Sequence, residues 1–387
     1  MSNPQSAIRN PHFARLLVRG VNWLGDAVMS LAALQRLREA LPRTRIAVLT
    51  PSKLAELWRG QPVVDEVLAV DSGETVFGVA RRIREGHFDG ALILPNSFRS
   101  ALESWLARVP QRVGVARPGR NWLLTRALPP RPDEIKMRKR SVAEVRRLIA
   151  SPATRANSVP ASAHHLHHYL HLAAALGASP EPVRPKLVVP DSAVAAVRQR
   201  FGLASANDAA APLFGLNPGA EYGPAKRWPR ERFVAAALEL RHHTHCRWWI
   251  FGGPADAPLA ESIAAEISSA DKSSPEVARS LAGQTSLHEL CAALKACSVV
   301  LTNDTGPMHV AAAVGTPVVV PFGSTSPELT GPGLPGDSRH RLLRSSVPCA
   351  PCFRRECPVD FRCMDGLAVA SVVQAVIEAW RETAGRP

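Results

Sequence analysis

Long apolar runs are missing from this chain of 387 residues. No stretch reaches the roughly 18 to 20 consecutive apolar residues that span a bilayer, and the first twenty residues contain no apolar core of the kind found in signal peptides. We therefore expect the chain to stay in the cytoplasm. Apolar residues make up 46% of the sequence and charged residues 21%, which excludes wholesale disorder and a fibrous repeat.

Tyrosine is scarce, with two in the whole chain. Acidic residues are also few, since 33 Asp and Glu stand against 47 Lys and Arg. The resulting net charge of +14 favours an anionic partner, which includes nucleic acid, an anionic membrane or a phosphorylated substrate. Charge alone does not choose among these three. Aromatic residues do not alternate with the basic stretches as in a base-stacking platform, so we expect no nucleic-acid partner.

Short runs rich in Val, Ile and Leu recur along the chain, and each is followed by a turn signal and a helix-like segment. This pattern predicts an open parallel α/β sheet in each half. The predicted strands are 15–21, 45–50, 66–70, 90–95 and 112–115 in the first half, and 213–217, 247–251, 299–302 and 318–321 in the second. A segment with four prolines, 177–190, reads as a linker. We predict two Rossmann-like, doubly wound domains in tandem, 1–182 and 183–387, facing a cleft that binds ligands.

The loop after the first predicted strand ends in Asp26, at the start of a helix-like segment. A carboxylate there can cap the first backbone N–H groups of the helix. At the carboxyl edge of a parallel sheet it can also take a proton from a hydroxyl group as a general base. The residues alone leave both interpretations open.

The segment 299–323 reads as strand, polar turn, helix, glycine turn and strand. Asp304, Thr305 and Gly306 form the polar turn, where free N–H groups and the helix dipole favour a diphosphate. Asp304 could bind sugar hydroxyls there, or Asp304 and Thr305 could simply cap the helix. His309 lies one turn further on, where it would face the ligand or pack.

A second glycine-bearing loop, 215–229, follows the strand that ends near Asn217 and contains Gly219 and Lys226. A lysine is a compact charge suited to a phosphate, and it could stabilise the negative charge that develops on a leaving nucleotide. The alternative for Lys226 is a solvated surface lysine.

Four segments together resemble a known family. They are NWLGDAVMS at 22–30, LPNSFRSA at 94–101, KRWP at 226–229 and TNDTGPMH at 302–309. In this order, and over nearly the whole chain, they resemble the ADP-heptose lipopolysaccharide heptosyltransferases, and the first two are most similar to the heptosyltransferase II group. The resemblance implies a GT-B glycosyltransferase fold and an inverting reaction without a catalytic metal or other cofactor. The lack of an Asp-x-Asp metal motif in the sequence agrees with this.

The resemblance also implies roles for individual residues. Asp26 would be the general base and Lys226 would contact phosphate. The donor would bind to Asn217, Gly219, Lys226, Asp304, Thr305, Gly306 and His309, with Thr285 contacting adenine through its backbone. The acceptor would bind to Asn22, Asn96, Ser97, Arg99 and Arg120, beside further basic charge in the first domain at Lys136, Arg138, Lys139 and Arg140, which could equally be a solvated face.

The implied donor is ADP-heptose, carrying L-glycero-D-manno-heptose, and the implied acceptor is the heptose/Kdo inner core of lipopolysaccharide. Such an acceptor would bring the chain into peripheral contact with the cytoplasmic face of the inner membrane. Three alternatives keep the fold: a transferase for another nucleotide sugar, a nucleotide-sugar or nucleic-acid binding module without catalysis, and a hydrolase or epimerase of nucleotide sugars.

Four of the seven cysteines, Cys349, Cys352, Cys357 and Cys363, lie within fifteen residues. Because disulfides are disfavoured in a reducing cytoplasm, a structural zinc site is one interpretation, although the spacing is unusual for one. Free thiols and disulfides are the alternatives. The other three cysteines stand among apolar residues, and we expect them to be packed thiols.

A run of histidines occupies 164–171. Spacings of three and four would place some of them on one helical face. No acidic residue or cysteine accompanies the run, so we expect a solvated or acceptor-facing polar helix rather than a metal site.

Overall fold

The computed structural model describes residues 13–151, 159–203, 211–271 and 277–384. Within these ranges twelve strands form two six-stranded sheets in which every pairing is parallel. The strands are β1 (Arg15–Arg19), β2 (Arg45–Pro51), β3 (Glu66–Val70), β4 (Gly90–Ile93), β5 (Gln111–Val115), β6 (Arg126–Leu128), β7 (Leu213–Asn217), β8 (Arg247–Ile250), β9 (Ala278–Ser280), β10 (Val299–Thr302), β11 (Val318–Phe322) and β12 (Arg341–Arg344).

Helices connect these strands, as parallel pairing requires. In the described ranges the helices are α1 (Leu24–Ala40), α2 (Ala55–Trp58), α3 (Val76–Glu85), α4 (Phe98–Leu106), α5 (Val142–Ala150), α6 (Leu166–Ala174), α7 (Asp191–Arg200), α8 (Arg230–Thr244), α9 (Ala257–Ala270), α10 (Leu287–Ala296), α11 (Gly306–Ala313), α12 (Pro327–Thr330), α13 (Arg362–Asp365) and α14 (Val369–Ala384). No helix of the described residues is long and apolar enough to cross a membrane.

The chain divides into two compact units. The first comprises Met1–Glu134 and His164–Val188, and the second comprises Ile135–Ala163 and Val189–Pro387. The break at 188/189 lies six residues beyond the predicted 182/183 because Gln61 exchanges two hydrogen bonds with the backbone of Val188. The segment 135–163 belongs to the second unit because the buried Val145 of α5 packs against two cysteines of that unit.

The core of the first unit lies along β1, β2 and β4, whose central residues are fully buried. Such continuous burial is expected of parallel strands covered on both faces. Helix α1 packs against α6, and α3 packs against α4. The apolar cluster that joins the sheet to α3 and α4 includes Leu17, Leu49 and Ile93 from the strands and Ile83 and Ala101 from the helices.

The second unit repeats this arrangement around β7, β10 and β11, which are buried along their whole length. Helix α14 packs against α8 and against β10, β11 and β12. Its Val372 and Val376 are fully buried in a cluster with Phe214 and Trp248. The last helix is therefore a packing element of this unit.

Each sheet has the strand order of a doubly wound fold. The first runs β3-β2-β1-β4-β5-β6, and the second runs β12-β11-β10-β7-β8-β9, which is the same pattern read from the opposite edge. The predicted pair of Rossmann-like α/β domains is therefore confirmed. In both sheets the order reverses between the first and fourth strands, and ligands of such sheets bind beyond the carboxyl ends of the strands at this point. The loops after β1 and β4, and after β7 and β10, are thus the positions where a ligand is expected.

Candidate functional site

Asp26 lies in the first turn of α1, directly beyond β1. About a third of its side chain (31%) is exposed. Its Oδ1 accepts a hydrogen bond from the Tyr169 hydroxyl at 3.2 Å, whereas the N-cap position of α1 is Trp23, which makes no side-chain capping bond. Within the described residues, the main polar contact of Asp26 is therefore with α6 rather than with the start of its own helix.

Tyr169 and His165, both near the start of α6, form a small network with Asp26. The Tyr169 hydroxyl lies 3.2 Å from His165 Nε2, which in turn is 3.7 Å from Asp26 Oδ1. Burial, reinforced by the charge of Asp26, raises the pKa of Tyr169 well above its usual value. Burial lowers the pKa of His165 despite the attraction of Asp26. Because Tyr169 has one proton and donates it to Asp26, the neutral His165 must donate its Nε2–H to the Tyr169 oxygen.

The histidine run was expected to be a solvated or acceptor-facing helix, and its histidines are less solvated than the first alternative requires. His164 and His168 are buried, and His164 Nδ1 accepts a hydrogen bond from the backbone N–H of Leu166. The His168 ring stacks on the His165 ring with centroids 5.2 Å apart, and burial lowers the pKa of His168 to about 3. The prediction of solvation was wrong for these two because the helix packs its histidine face inward. The acidic partner of the run is Asp26, which is distant in sequence.

The loop after β4 contains three predicted acceptor residues. Asn96 and Ser97 are exposed, but the Ser97 hydroxyl also caps α4 by accepting from the backbone N–H of Ser100 at 3.2 Å. Arg99 Nε donates to Glu103 Oε1 at 3.0 Å, and the buried Glu103 also accepts from Arg19 Nε at 2.9 Å. Arg99 is therefore partly neutralised by a carboxylate that already serves a second arginine.

The remaining acceptor residues have opposite environments. Asn22 is exposed in the loop after β1. Arg120 is 1% exposed, and its Nη1 donates to the Pro95 carbonyl at 2.9 Å. Burial, together with the charge of Arg117, lowers the pKa of Arg120. In this conformation Arg120 supports the loop after β4 and presents almost no surface to a ligand.

The basic stretch 136–140 was assigned to the first domain, and this assignment was wrong, since the stretch belongs to the second unit. Arg138 Nη2 donates to Glu144 at 2.8 Å, and Arg140 Nη1 donates to the carbonyl of Cys349 at 2.9 Å. Arg138 thus ties the approach of α5 to the helix, and Arg140 ties this segment to the rest of the second unit.

The switch point of the second sheet is held together by amide and hydroxyl side chains. Asn217 Nδ2, at the end of β7, donates to the hydroxyl of Thr302 at 3.2 Å and to that of Thr305 at 3.1 Å. Asn303 Oδ1 accepts from the backbone N–H of Trp228 at 3.0 Å, and its Nδ2 donates to the Pro218 carbonyl at 2.8 Å. These bonds bring the loop after β7 against the loop after β10.

Lys226 and Asp304 form a buried ion pair in this position. Lys226 Nζ lies 2.6 Å from Asp304 Oδ2, and the two side chains are 14% and 5% exposed. The Thr325 hydroxyl donates to the same Oδ2 at 2.6 Å, and Lys226 Nζ lies 4.9 Å from the centre of the Tyr222 ring. The alternative of a solvated surface lysine is therefore wrong.

The other predicted donor residues are buried to different extents. Gly219 has no space for a side chain, because an added Cβ would lie 2.6 Å from the carboxylate of Asp256. Gly306 is the first residue of α11, whose N-cap Thr305 makes no side-chain capping bond among the described residues. His309 is buried within α11. Thr285 is half-buried just before the N-cap of α10, beyond β9.

Sequence reasoning missed four residues of these two networks: Tyr169, Tyr222, Asn303 and Thr325. Asn303 stands inside the motif TNDTGPMH, so its position after a buried strand was a usable signal. Tyr222 lies within the glycine-bearing loop and was one of only two tyrosines. Thr325 and Tyr169 reach their carboxylates from other parts of the chain, and local sequence carries no signal for such contacts.

The four clustered cysteines line one cavity together with the side chains of Val145 and Ile149. All four are free thiols. Burial raises the pKa of Cys363 to about 12 and also raises that of Cys349. Among the described residues, no group of three or more His, Cys, Asp or Glu is arranged to hold a metal ion. The cluster thus has the grouping for the predicted zinc site but not the ligand geometry, and zinc stays a prediction.

Comparisons with known proteins agree with this geometry. The family model for glycosyltransferase family 9 (heptosyltransferase) matches residues 130–361, more than half of the chain. Lipopolysaccharide heptosyltransferase 2 of Salmonella typhimurium is 31% identical over 325 residues, covering 82% of this chain and 85% of that protein. Lipooligosaccharide heptosyltransferase 2 of Haemophilus influenzae is 30% identical over 326 residues, with coverages of 82% and 85%.

Among solved structures, the ADP-heptose lipopolysaccharide heptosyltransferase II of Escherichia coli aligns with a TM-score of 0.74 and 25% identity, covering 96% of this chain and all of that one. The fold is therefore the GT-B fold that the motifs implied. The family match and the extent of the two sequence relatives are sufficient for assignment. This chain belongs to glycosyltransferase family 9, the heptosyltransferases.

Proposed function

We propose that this glycosyltransferase moves L-glycero-D-manno-heptose from ADP-heptose to the heptose/Kdo inner core of lipopolysaccharide, with inversion at the anomeric carbon. The observation that carries the proposal is Asp26, a partly exposed carboxylate at the switch point of the first sheet whose Oδ1 is held by Tyr169. The assignment of donor and acceptor draws on the similarity to the heptosyltransferase 2 proteins.

In this proposal Asp26 is the general base. Tyr169 occupies Oδ1, so Oδ2 is the oxygen that takes the proton from the acceptor hydroxyl. The hydroxyl oxygen then attacks the anomeric carbon of the heptose, and the bond from this carbon to the diphosphate oxygen breaks. The neutral His165 stabilises the arrangement through the Tyr169 oxygen without placing a second positive charge near the base.

The donor is proposed to bind at the switch point of the second sheet. The diphosphate lies at the N-terminus of α11, where Thr305 and Gly306 supply backbone donors and the helix dipole. Lys226 Nζ contacts both Oδ2 and the backbone carbonyl of Asp304, which leaves its third N–H to bond the phosphate that leaves with ADP. Thr325 and Lys226 both contact Oδ2 of Asp304, which makes Oδ1 the oxygen for a heptose hydroxyl. The scheme requires no cofactor.

An inner-core acceptor is built on a lipid, so we further propose that the chain works in the cytoplasm as a peripheral protein of the inner membrane. Asn22 and Asn96, which are exposed in the loops after β1 and β4, are the acceptor contacts that this conformation offers directly. Arg99 contributes through the charge that Glu103 leaves uncompensated, since Glu103 also pairs with Arg19.

The test replaces Asp26 by Asn, which keeps the shape of the side chain and removes the base. ADP release in the presence of a deacylated inner-core acceptor is expected to fall by about a hundredfold or more, while ADP-heptose binding measured by calorimetry stays at the wild-type level. The matched control is Asp71→Asn, an exposed acid after β3, which should be fully active. Full activity of Asp26→Asn would refute the base assignment.

The alternatives give different outcomes in the same assay. A hydrolase or epimerase would turn over the wild-type donor without acceptor, and a binding module would bind ADP-heptose but release no ADP with any acceptor. If another nucleotide sugar releases ADP only when the acceptor is present, and ADP-heptose releases none, that nucleotide sugar replaces ADP-heptose as the proposed donor.

A further inference from the structure

Three aromatic rings are exposed together on the first unit. Phe98 and Trp105, seven residues apart, lie on the same face of α4, and Trp122 contacts both from the connection between β5 and β6. The ring centroids of Trp105 and Trp122 are 5.5 Å apart, and those of Phe98 and Trp122 are 6.3 Å apart. Phe98, Trp105 and Trp122 are 47%, 39% and 61% exposed. These three residues are called the aromatic surface below.

Contiguous exposure of large aromatic rings is costly in water and marks an interaction site. The rings contact one another, and Trp122 Nε1 also donates to the Gly119 carbonyl at 3.0 Å. A Trp whose apolar body is exposed while its polar edge is satisfied suits a boundary between water and an apolar phase. The aromatic surface is therefore preformed rather than a consequence of loose packing.

The charge around the aromatic surface is strongly of one sign. Between residues 95 and 128 the sequence contains six arginines, no lysine and one acidic residue, Glu103. Glu103 is fully buried and is paired with Arg19 and Arg99, so it adds no negative charge at the surface. The arginines are Arg99, Arg108, Arg112, Arg117, Arg120 and Arg126. Of these six, Arg99 and Arg108 are exposed and Arg120 is buried, so the exposed charge beside the rings is positive and complementary to a surface of many negative charges.

We propose that the aromatic surface docks the chain on an anionic lipid membrane. Tryptophan is enriched where proteins meet the level of the lipid headgroups, and basic residues next to apolar ones add attraction to anionic lipids. Arg99 and Arg108, the exposed arginines of this segment, meet the headgroup phosphates, and the rings of Phe98, Trp105 and Trp122 enter the interface.

The position of the aromatic surface links docking to the reaction. Phe98 is the first residue of α4 and directly follows Ser97 of the loop after β4, so the surface begins beside the loop proposed for the acceptor. A lipid-anchored acceptor would then be presented in the plane on which the chain is docked. This consequence rests on the proposed function, whereas lipid binding itself does not.

The binding experiment is sedimentation of the full chain with two kinds of vesicle, phosphatidylcholine alone and phosphatidylcholine mixed with phosphatidylglycerol. The wild type should bind the mixed vesicles, bind less as salt is added, and bind phosphatidylcholine weakly. Trp105→Ala/Trp122→Ala should lower binding to the mixed vesicles by at least about tenfold. Trp122→Phe, which keeps an apolar ring, should bind nearly as well as the wild type.

The contribution of charge to vesicle binding is tested with variants of two exposed arginines. Arg108→Gln, close to Trp105 in the chain, should weaken binding to the mixed vesicles by a few fold, about the value of one basic residue near an anionic surface. Arg43→Gln, which lies between α1 and β2, should leave binding unchanged. Equal binding of wild type and Trp105→Ala/Trp122→Ala, or no preference for phosphatidylglycerol, would overturn the proposal. Self-association that the double variant abolishes, without lipid binding, would also overturn it.

An activity arm separates this proposal from the proposed function. Trp105→Ala/Trp122→Ala should transfer heptose to a deacylated acceptor at the wild-type rate, which also shows that the variant is folded. It should be slower by about the same factor as its loss of vesicle binding when the acceptor is embedded in mixed vesicles. Wild-type inactivity towards the deacylated acceptor would count against the proposed function and leave the vesicle-binding result to decide the docking proposal.

Discussion

Replacing Lys226 by Met should destabilise the second unit far more than loss of an ordinary surface lysine. The Lys226 ammonium lies 2.6 Å from the carboxylate of Asp304, and the two side chains are only 14% and 5% exposed. Methionine keeps much of the volume of the aliphatic stem but removes the charge, so Asp304 would remain buried with the hydroxyl of Thr325 as its partner. Breaking one side of a buried pair in this way costs about 3 to 5 kcal/mol.

For a unit of this size, 1 kcal/mol corresponds to about 2 to 4 °C in Tm. Lys226→Met should therefore lower the Tm of the second unit by about 6 °C or more in calorimetry. The matched control is the next residue in the chain. Arg227 is 44% exposed and lies 4.0 Å from Asp256, and exposed pairs contribute about 1 kcal/mol or less. Arg227→Met should consequently shift the Tm by no more than a few degrees.

The double variant Lys226→Met/Asp304→Asn distinguishes the loss of the ion-pair attraction from the cost of leaving Asp304 buried without its cationic partner. Asparagine is neutral and can still accept the hydrogen bond from Thr325, so the double variant should recover most of the lost stability. Nucleotide binding should not recover, because the positive charge proposed to meet the diphosphate is gone. Two results would contradict this account of the pair. One is the same Tm for Lys226→Met and Arg227→Met, and the other is a double variant that is less stable than Lys226→Met.

Two further predictions concern the first unit. Tyr169→Phe removes the hydroxyl that holds Asp26, and such a hydrogen bond to a charged group contributes about 1.5 kcal/mol. In steady-state kinetics kcat should therefore fall about tenfold, while KM for the donor is unchanged. A wild-type kcat would contradict the positioning role. His168 has a folded pKa of about 3, so between there and its usual 6.5 the unfolded chain binds a proton that the folded chain does not, and stability falls with acidification. Urea unfolding should show that His168→Gln removes a slope of about 1.4 kcal/mol per pH unit below pH 6, and identical slopes for variant and wild type would refute this origin.

The sequence predicted the two sheets well because parallel strands covered on both faces must be apolar along their length. The runs at β7, β10 and β11 are buried throughout, as their composition indicates. The loops after β1, β4, β7 and β10 follow from the same reasoning, since the turn after each buried strand is visible in the sequence. Local pattern thus indicated these loops, whereas the strand order that places them at the switch points comes from the structure.

Local pattern could not say which partner each side chain would find. Asp26 was read either as a helix cap or as a base, and the structure brings it to Tyr169 of α6. The resemblance implied that Arg120 contacts the acceptor, but its side chain is buried and donates to the Pro95 carbonyl. Both outcomes depend on contacts between elements far apart in the chain, for which a single sequence has no periodicity or spacing to show.

The histidines of α6 show why this limit matters most at the site itself. Helical spacing placed some of the histidines on one face, as the stacked rings of His165 and His168 show, and the absence of an acidic neighbour in the sequence suggested a solvated or acceptor-facing helix. The acidic neighbour instead comes from α1, which packs against α6. Because partial burial lowers the pKa of His165, it stays neutral beside a carboxylate, and Tyr169 can donate its proton to Asp26. The proposed base therefore requires two elements from distant parts of the first unit's sequence, so its chemistry depends on tertiary packing even though its position is determined by sequence.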